Sequence, residues 1–245
     1  MFTLGSMESL SIGVIGAGLI GGTLAVHLAG LGHRVRIANS KDPSTLTQFA
    51  GVERLTPSWA ADAAAGADVV IVSVPENRVA ALCAQLAPKL TDDAVVIDTG
   101  NYYPNRDGRI DELDNGTPDS VWVAGLLGRP VYKAFNSIIA SSLKHNGTHD
   151  RAGRIGLAVA GPAGPGKDTV FGLVDQLGFE PVDAGPLADS WRQQPGTPSY
   201  CQDFDADRLR AALAATTSDG IAEYHRRRDR ITDFAAAAAD VAARM

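Results

Sequence analysis

The chain has 245 residues, of which 45% are hydrophobic, enough to bury a sizeable core as one large domain or as one domain with a smaller appendage. A formal net charge of -6 argues against a nucleic-acid-binding protein, whose affinity rests on a basic footprint. No tract reaches the roughly 18 apolar residues of a membrane span, and two cysteines, Cys83 and Cys201, are too few for a disulfide framework, so a reducing cytoplasm is the expected compartment.

Residues 1–8, including Gly5-Ser6 ahead of a second Met7, read as an appended leader without the basic and apolar regions of a secretory signal. From there, short β-branched runs alternate with Ala/Leu-rich segments of helical period, the pattern of parallel strands joined by crossover helices. Strands are expected at Ser11–Ile15, Arg34–Ala38, Asp68–Ser73, Ala94–Asp98 and Ser120–Ala124, and helices near Leu19–Leu31, Pro57–Ala65 and Asn77–Leu86. In the first helix Ile20, Leu24, Leu28 and Leu31 fall on one face, as packing on a sheet requires. The expected class is α/β: a Rossmann-type doubly wound, mainly parallel sheet over 9–128, followed over 129–245 by a smaller α/β and helical part on the acceptor side.

In that second part "VYKAF", "RIGLAVA" and "FEPVDA" read as strands and Asp168–Leu177 as a helix. "DSWRQQPGTPSYCQDF" reads as a loop wandering over the surface. The terminal segment from Gly220 to Arg244 places Ile221, Tyr224, Ile231, Phe234, Ala238 and Val241 on one apolar face, to dock on its own domain or to form a homodimer contact. Its "HRRRDR" run reads as a solvated face.

The first motif with chemical content is "GVIGAGLIGG", in which Gly16, Gly18 and Gly21 have the G-x-G-x-x-G spacing between a strand and a helix. Gly16 permits the tight turn, Gly18 lets the backbone approach a pyrophosphate, and Gly21 lets helix and strand lie close. Ala17, Leu19 and Ile20 complete the phosphate loop, whose free amides face the diphosphate at the helix N-terminus. At the end of the second strand, where an NAD site carries an acidic residue for the ribose, this chain has Asn39, Ser40 and Lys41. Hydroxyl, amide and ammonium donors suit a 2′-phosphate, which favours NADP(H) over NAD(H). Ser73, Val74 and Pro75 after the third strand, and Thr99, Gly100 and Asn101 after the fourth, are expected to line the same crevice.

"GPAGPGKD" fits part of a nucleotide-triphosphate loop, but Asp168 stands where a magnesium-binding hydroxyl belongs, and Pro162 and Pro165 delete amides. A turn feeding a helix explains the same residues.

Taken together, "GVIGAGLIGGTLAVHLAGLGHRV", "ANSKDP", "VSVP", "KAFNSI" and "LGFEPVDAGPLADS" resemble the NADP oxidoreductases that exchange hydride with a deazaflavin coenzyme (F420). More distantly they resemble the cytosolic oxidoreductase domain of the six-transmembrane ferric reductases. The resemblance implies a crevice lined by Gly16 to Ile20, by Ser40 and Lys41 at the 2′-phosphate, by Val74 and Pro75, and by Ala134, Phe135 and Asn136 near the nicotinamide. It implies a second, deazaflavin-like redox partner on the side of the smaller part. The family usually carries Arg where Lys41 stands, which keeps the charge and loses bidentate geometry. Without a membrane span, the ferric reductase reading has no route for electrons across a bilayer.

Hydride transfer to a flat heteroaromatic acceptor obliges no protein acid or base. Were the substrate a small carbonyl or imine, Lys133 and Asn136 would be the catalytic pair, Lys133 protonating and Asn136 orienting it. A third reading is an NADP(H)-binding protein without turnover. No metal site is expected.

Overall fold

A computed structural model of the chain describes residues 8–232 and 234. Residues 1–7 of the expected leader and the terminal positions Ala238 and Val241 lie outside those residues.

Chain order begins with β1 (Ser11–Ile15), α1 (Leu19–Gly30), β2 (Arg34–Ala38), β3 (Leu55–Pro57), α2 (Ala60–Ala64), β4 (Val69–Val72), α3 (Glu76–Leu86) and β5 (Val95–Asp98). Three short helices follow, α4 (Pro104–Asp107), α5 (Asp111–Asp114) and α6 (Asp119–Leu127), then β6 (Tyr132–Lys133) and α7 (Ala140–His145). The remainder is β7 (Gly156–Val159), α8 (Pro165–Gln176), β8 (Glu180–Asp183), α9 (Ala206–Ala215) and α10 (Ile221–Asp229).

The first six strands form one parallel sheet in the order β3-β2-β1-β4-β5-β6. Strand order reverses between β1 and β4, the switch point outside whose carboxyl ends ligands bind in doubly wound sheets. The fold is therefore the expected doubly wound α/β type. β7 and β8 form a second, two-stranded parallel sheet, joined to the first where Lys133 and Ala160 exchange two backbone hydrogen bonds, 2.8 and 3.0 Å.

The strands β1, β4 and β5 are buried on both faces, which is why they read as continuous β-branched runs rather than alternating ones. One face packs α1, α7 and α8 through Leu24, Leu28, Leu143, Val170 and Leu173; the other packs α2, α3 and α6 through Ala63, Val79, Cys83 and Val123.

Four expectations are corrected. Ser120–Ala124 is the middle of α6 and not a strand: Ser120, Val123 and Leu127 are buried at helical spacing, and Gly128 closes the helix in the left-handed region at φ 64°. The segment expected as a helix from Pro57 begins as the edge strand β3, where a proline is tolerated, and turns helical only at Ala60. "DSWRQQPGTPSYCQDF" does not wander over the surface. It starts within a 3-10 helix at Leu187–Gln193 and buries Ser190, Gln193, Thr197 and Ser199. Leu31, placed on the apolar face of α1, caps that helix and is exposed.

The phosphate-loop glycines have separate causes. Gly16 has φ 117°, and a Cβ there would collide with the Ser73 carbonyl; a Cβ on Gly21 would collide with the carbonyl of Gly16. Replacing Gly21 with Ala should push α1 off β1 and lower the thermal midpoint by several degrees, measured by calorimetry. Gly18→Ala, whose Cβ meets no protein atom within 4 Å, should leave the midpoint unchanged.

Candidate functional site

The crevice at the carboxyl edge of the large sheet is built from four turns. After β1, α1 starts at Leu19 behind an exposed, extended Gly18, with no acidic residue in its first turn. Gly18 is not held to glycine by protein packing, so the open approach over its backbone fits a phosphate, as the spacing suggested. After β2, the Asn39 carboxamide oxygen accepts from the Lys41 amide at 2.8 Å and its nitrogen donates to Thr45 Oγ1 at 3.1 Å, which fixes the turn. Ser40 and Lys41 are exposed, and Lys41 forms no ion pair among the described residues. The Asp42 carboxylate accepts from the Ser44 amide at 2.9 Å, which directs it into the following turn, and hydrogen bonding from the Ser44 side chain, then from its amide, lowers its pKa.

The third and fourth turns meet. Thr99 Oγ1 donates to Ser73 Oγ at 2.9 Å, with Val74 half-buried and Pro75 exposed beside them. Asn101 Nδ2 donates to the Asn136 carbonyl at 2.8 Å, and Asn136 Nδ2 donates to Asn101 Oδ1 at 3.0 Å. Ala134, Phe135 and Asn136 are all buried, and Phe135 holds the left-handed φ of 60° that turns the chain out of β6.

Beneath these turns lies a charged cluster that sequence reading did not assemble. Lys133 and Asp98 are register partners on β6 and β5, and both are fully buried. The Lys133 ammonium donates to the Gly100 carbonyl at 3.0 Å and to Ser120 Oγ at 3.1 Å, with Asp98 Oδ2 at 3.8 Å and Asp119 Oδ2 at 3.7 Å. Asp98 accepts from the Gly100 amide at 2.8 Å and from Ser120 Oγ at 2.6 Å. The Glu76 carboxyl is fully buried, has no hydrogen-bond partner, and lies against Gly100. Lys133 is thus tied down below the crevice floor rather than presented to it. Three carboxyl groups share one ammonium, and burial, followed by the charges of Asp98 and Asp119, raises the Glu76 pKa well above its ordinary 4.5. Burial thus favours the protonated form of Glu76.

The second missed group comes from the segment expected on the surface. Gln193 Nε2 donates to Asn136 Oδ1 at 2.8 Å, its backbone carbonyl accepts from Asn136 Nδ2 at 2.8 Å, and Tyr200 and Tyr103 share a hydroxyl hydrogen bond of 2.6 Å beside Asn101. Burial pushes the Tyr103 hydroxyl up to about 12 and the thiols of Cys83 and Cys201 up to about 12 and about 11, which works against thiolate formation at both cysteines. Farther off, Lys167 of the rejected triphosphate loop is buried, with its ammonium on Asp183 at 2.5 Å and the Gly185 carbonyl at 3.0 Å. Arg228, expected on a solvated face, is buried over the Tyr102 ring, while Arg226 and Arg227 pair with Glu223.

Sheet order, glycine turn and crevice define a dinucleotide-binding domain of the Rossmann class. Residues 11–102 match the model of the family described as "NADP oxidoreductase coenzyme F420-dependent", which bears out over that stretch the resemblance read from the sequence. YjhV of Escherichia coli (strain K12) is 46% identical over 69 residues, 28% of this chain and 50% of YjhV. The rat metalloreductase STEAP3 is 27% identical over 184 residues, 75% of this chain and 35% of that protein. The chain thus spans half or less of these curated relatives. Among solved structures, the hypothetical protein SMa0349 from Sinorhizobium meliloti shares 29% identity with a TM-score of 0.68, covering 81% of this chain and 97% of that one. A proposed F420-dependent NADP reductase from Arthrobacter sp. FB24 shares the fold at 24% identity and TM-score 0.61, over 74% of this chain and 87% of that one. No described helix is long and apolar enough to cross a membrane.

Two outcomes test the cluster. Removing the ammonium with Lys133→Met strands Asp98 and Asp119, which should cost about 3–5 kcal/mol in urea unfolding. Glu76→Gln tests the buried proton. The unfolded chain releases that proton near 4.5 while the folded chain retains it, so native stability falls as pH rises above about 4.5. The Gln variant lacks that loss, so its advantage in unfolding midpoint should be larger at pH 8 than at pH 5.

Proposed function

We propose that the chain is an NADP(H)-dependent oxidoreductase that passes hydride between the nicotinamide and a deazaflavin-like planar acceptor. It acts as a cytoplasmic homodimer whose 129–245 part supplies the acceptor side. The observation that carries the cofactor assignment is the end of β2: an exposed hydroxyl and an exposed ammonium, Ser40 and Lys41, on a turn fixed by Asn39, with no carboxylate directed at the ribose position. Such donors attract a doubly charged phosphate and leave a bare ribose hydroxyl indifferent.

The nicotinamide supplies the hydride. The chain's own residues bind and orient: the amides at the start of α1 hold the diphosphate, the Ser73–Pro75 and Thr99–Asn101 turns set the path of the dinucleotide, and Asn136 is locked by Asn101 and Gln193. Among the described residues, the Ser73–Pro75 and Thr99–Asn101 turns that line the crevice carry no acid–base pair, which suits transfer to a conjugated ring that obliges no protein acid. Reduction of a carbonyl or imine is less well supported, because the Lys133 ammonium is fully engaged below the crevice.

Mixing the protein with NADPH and, separately, a deazaflavin, a flavin, a quinone and a carbonyl panel should give loss of reduced-nicotinamide absorbance with the deazaflavin foremost. No oxidation of NADPH by any acceptor would leave a binding protein without turnover. For the cofactor, the Ser40→Glu/Lys41→Ala double variant should raise the apparent KM for NADPH by at least about tenfold while changing that for NADH little, since hydrogen bonds to charged groups are worth about 1.5–3 kcal/mol. An unchanged NADPH/NADH ratio would refute it.

A further inference from the structure

We propose that Trp59 is the stacking platform for the adenine ring of the dinucleotide, an assignment that rests on the NADP(H) reading above and deepens it. Among the described residues, Trp59 is the most exposed of the large hydrophobic side chains, at 52%. The helix that follows it, α2, offers only Ala60, Ala61, Asp62, Ala63 and Ala64, none of which is large enough to cover an indole. An uncovered indole on a loop is costly to keep in water and is well suited to a flat partner.

Its place in the sheet says which partner. Pro57 is the register partner of Ile37, and the parallel ladder continues one step past the strand, where the Ser58 amide donates to the Ile37 carbonyl at 2.8 Å. Trp59 is still extended, at φ -70° and ψ 151°, so the next step brings it abreast of Asn39 at the carboxyl edge, beside Ser40 and Lys41. The 2′-phosphate assigned to those two residues sits on the same ribose that carries the base, so the base must lie within one sugar's width of them. An exposed aromatic face on the neighbouring strand end is within that reach. Stacking on an aromatic side chain is tolerant of base identity, so it adds affinity while Ser40 and Lys41 choose the phosphate.

The test uses adenosine 2′,5′-bisphosphate, which carries the base and the phosphate without the nicotinamide. Calorimetric titration of the native chain, Trp59→Ala, Trp59→Phe and Lys41→Ala should show Trp59→Ala binding it about tenfold more weakly. Trp59→Phe should recover most of the loss, and the bisphosphate should quench indole emission in the native chain but not in Trp59→Phe. Because the side chain is exposed, the thermal midpoint of Trp59→Ala should match that of the native chain. A Trp59→Ala variant that binds within twofold of the native chain overturns the assignment while leaving the cofactor reading intact if Lys41→Ala still weakens binding. A native chain that does not bind the bisphosphate overturns both.

Discussion

Everything at the crevice floor depends on one buried ammonium. Lys133 holds the Gly100 carbonyl and the Ser120 hydroxyl from below, and Asp98 holds the Gly100 amide from the other side, so both polar groups flanking that glycine are fixed by charge. Removing charges from water is expensive, and such a group survives only where its neighbours compensate it fully. Compensation here draws on β5, β6 and the start of α6, and the uncharged form of Glu76 keeps the balance from tipping further negative. The turn that carries Asn101 is rigid for this reason, and Asn101 in turn locks Asn136.

The N-terminal half of this arrangement was legible in the sequence because its causes are local. Gly16 and Gly21 are required by contacts with Ser73 and with one another, while no protein atom restricts Gly18; the short three-glycine run holds the first two causes locally. The turn at the end of β2 is local in the same way, since the Asn39 side chain closes it on the Lys41 amide.

What was not legible depends on distant partners. Glu76 follows a proline at the start of a helix, where a carboxylate ordinarily faces water; only the approach of Asp98, Asp119 and Lys133 turns it into a buried acid. Gln193 lies in a polar, Pro- and Gly-punctuated segment whose composition signals a surface loop. Its side-chain nitrogen is bonded inside to Asn136, which offsets part of the cost of burying the amide, while its oxygen is buried without a partner. Ser120–Ala124 failed for a different reason: a short apolar run bounded by turn residues has no period that separates strand from buried helix. Lys133 stood out in the sequence as an acid for a carbonyl or imine substrate, but a lysine at a strand end reads the same whether its ammonium points up into a cleft or down among acids.

Lys133 also bonds through its backbone to Ala160, the joint between the large sheet and the two-stranded one. A single residue therefore ties the interior electrostatics of one layer to the hydrogen-bond ladder of the next. The residue whose backbone carries the small sheet is thus the one whose side chain is anchored among buried acids, so the joint between the layers rests on a strand end held from both its backbone and its charge.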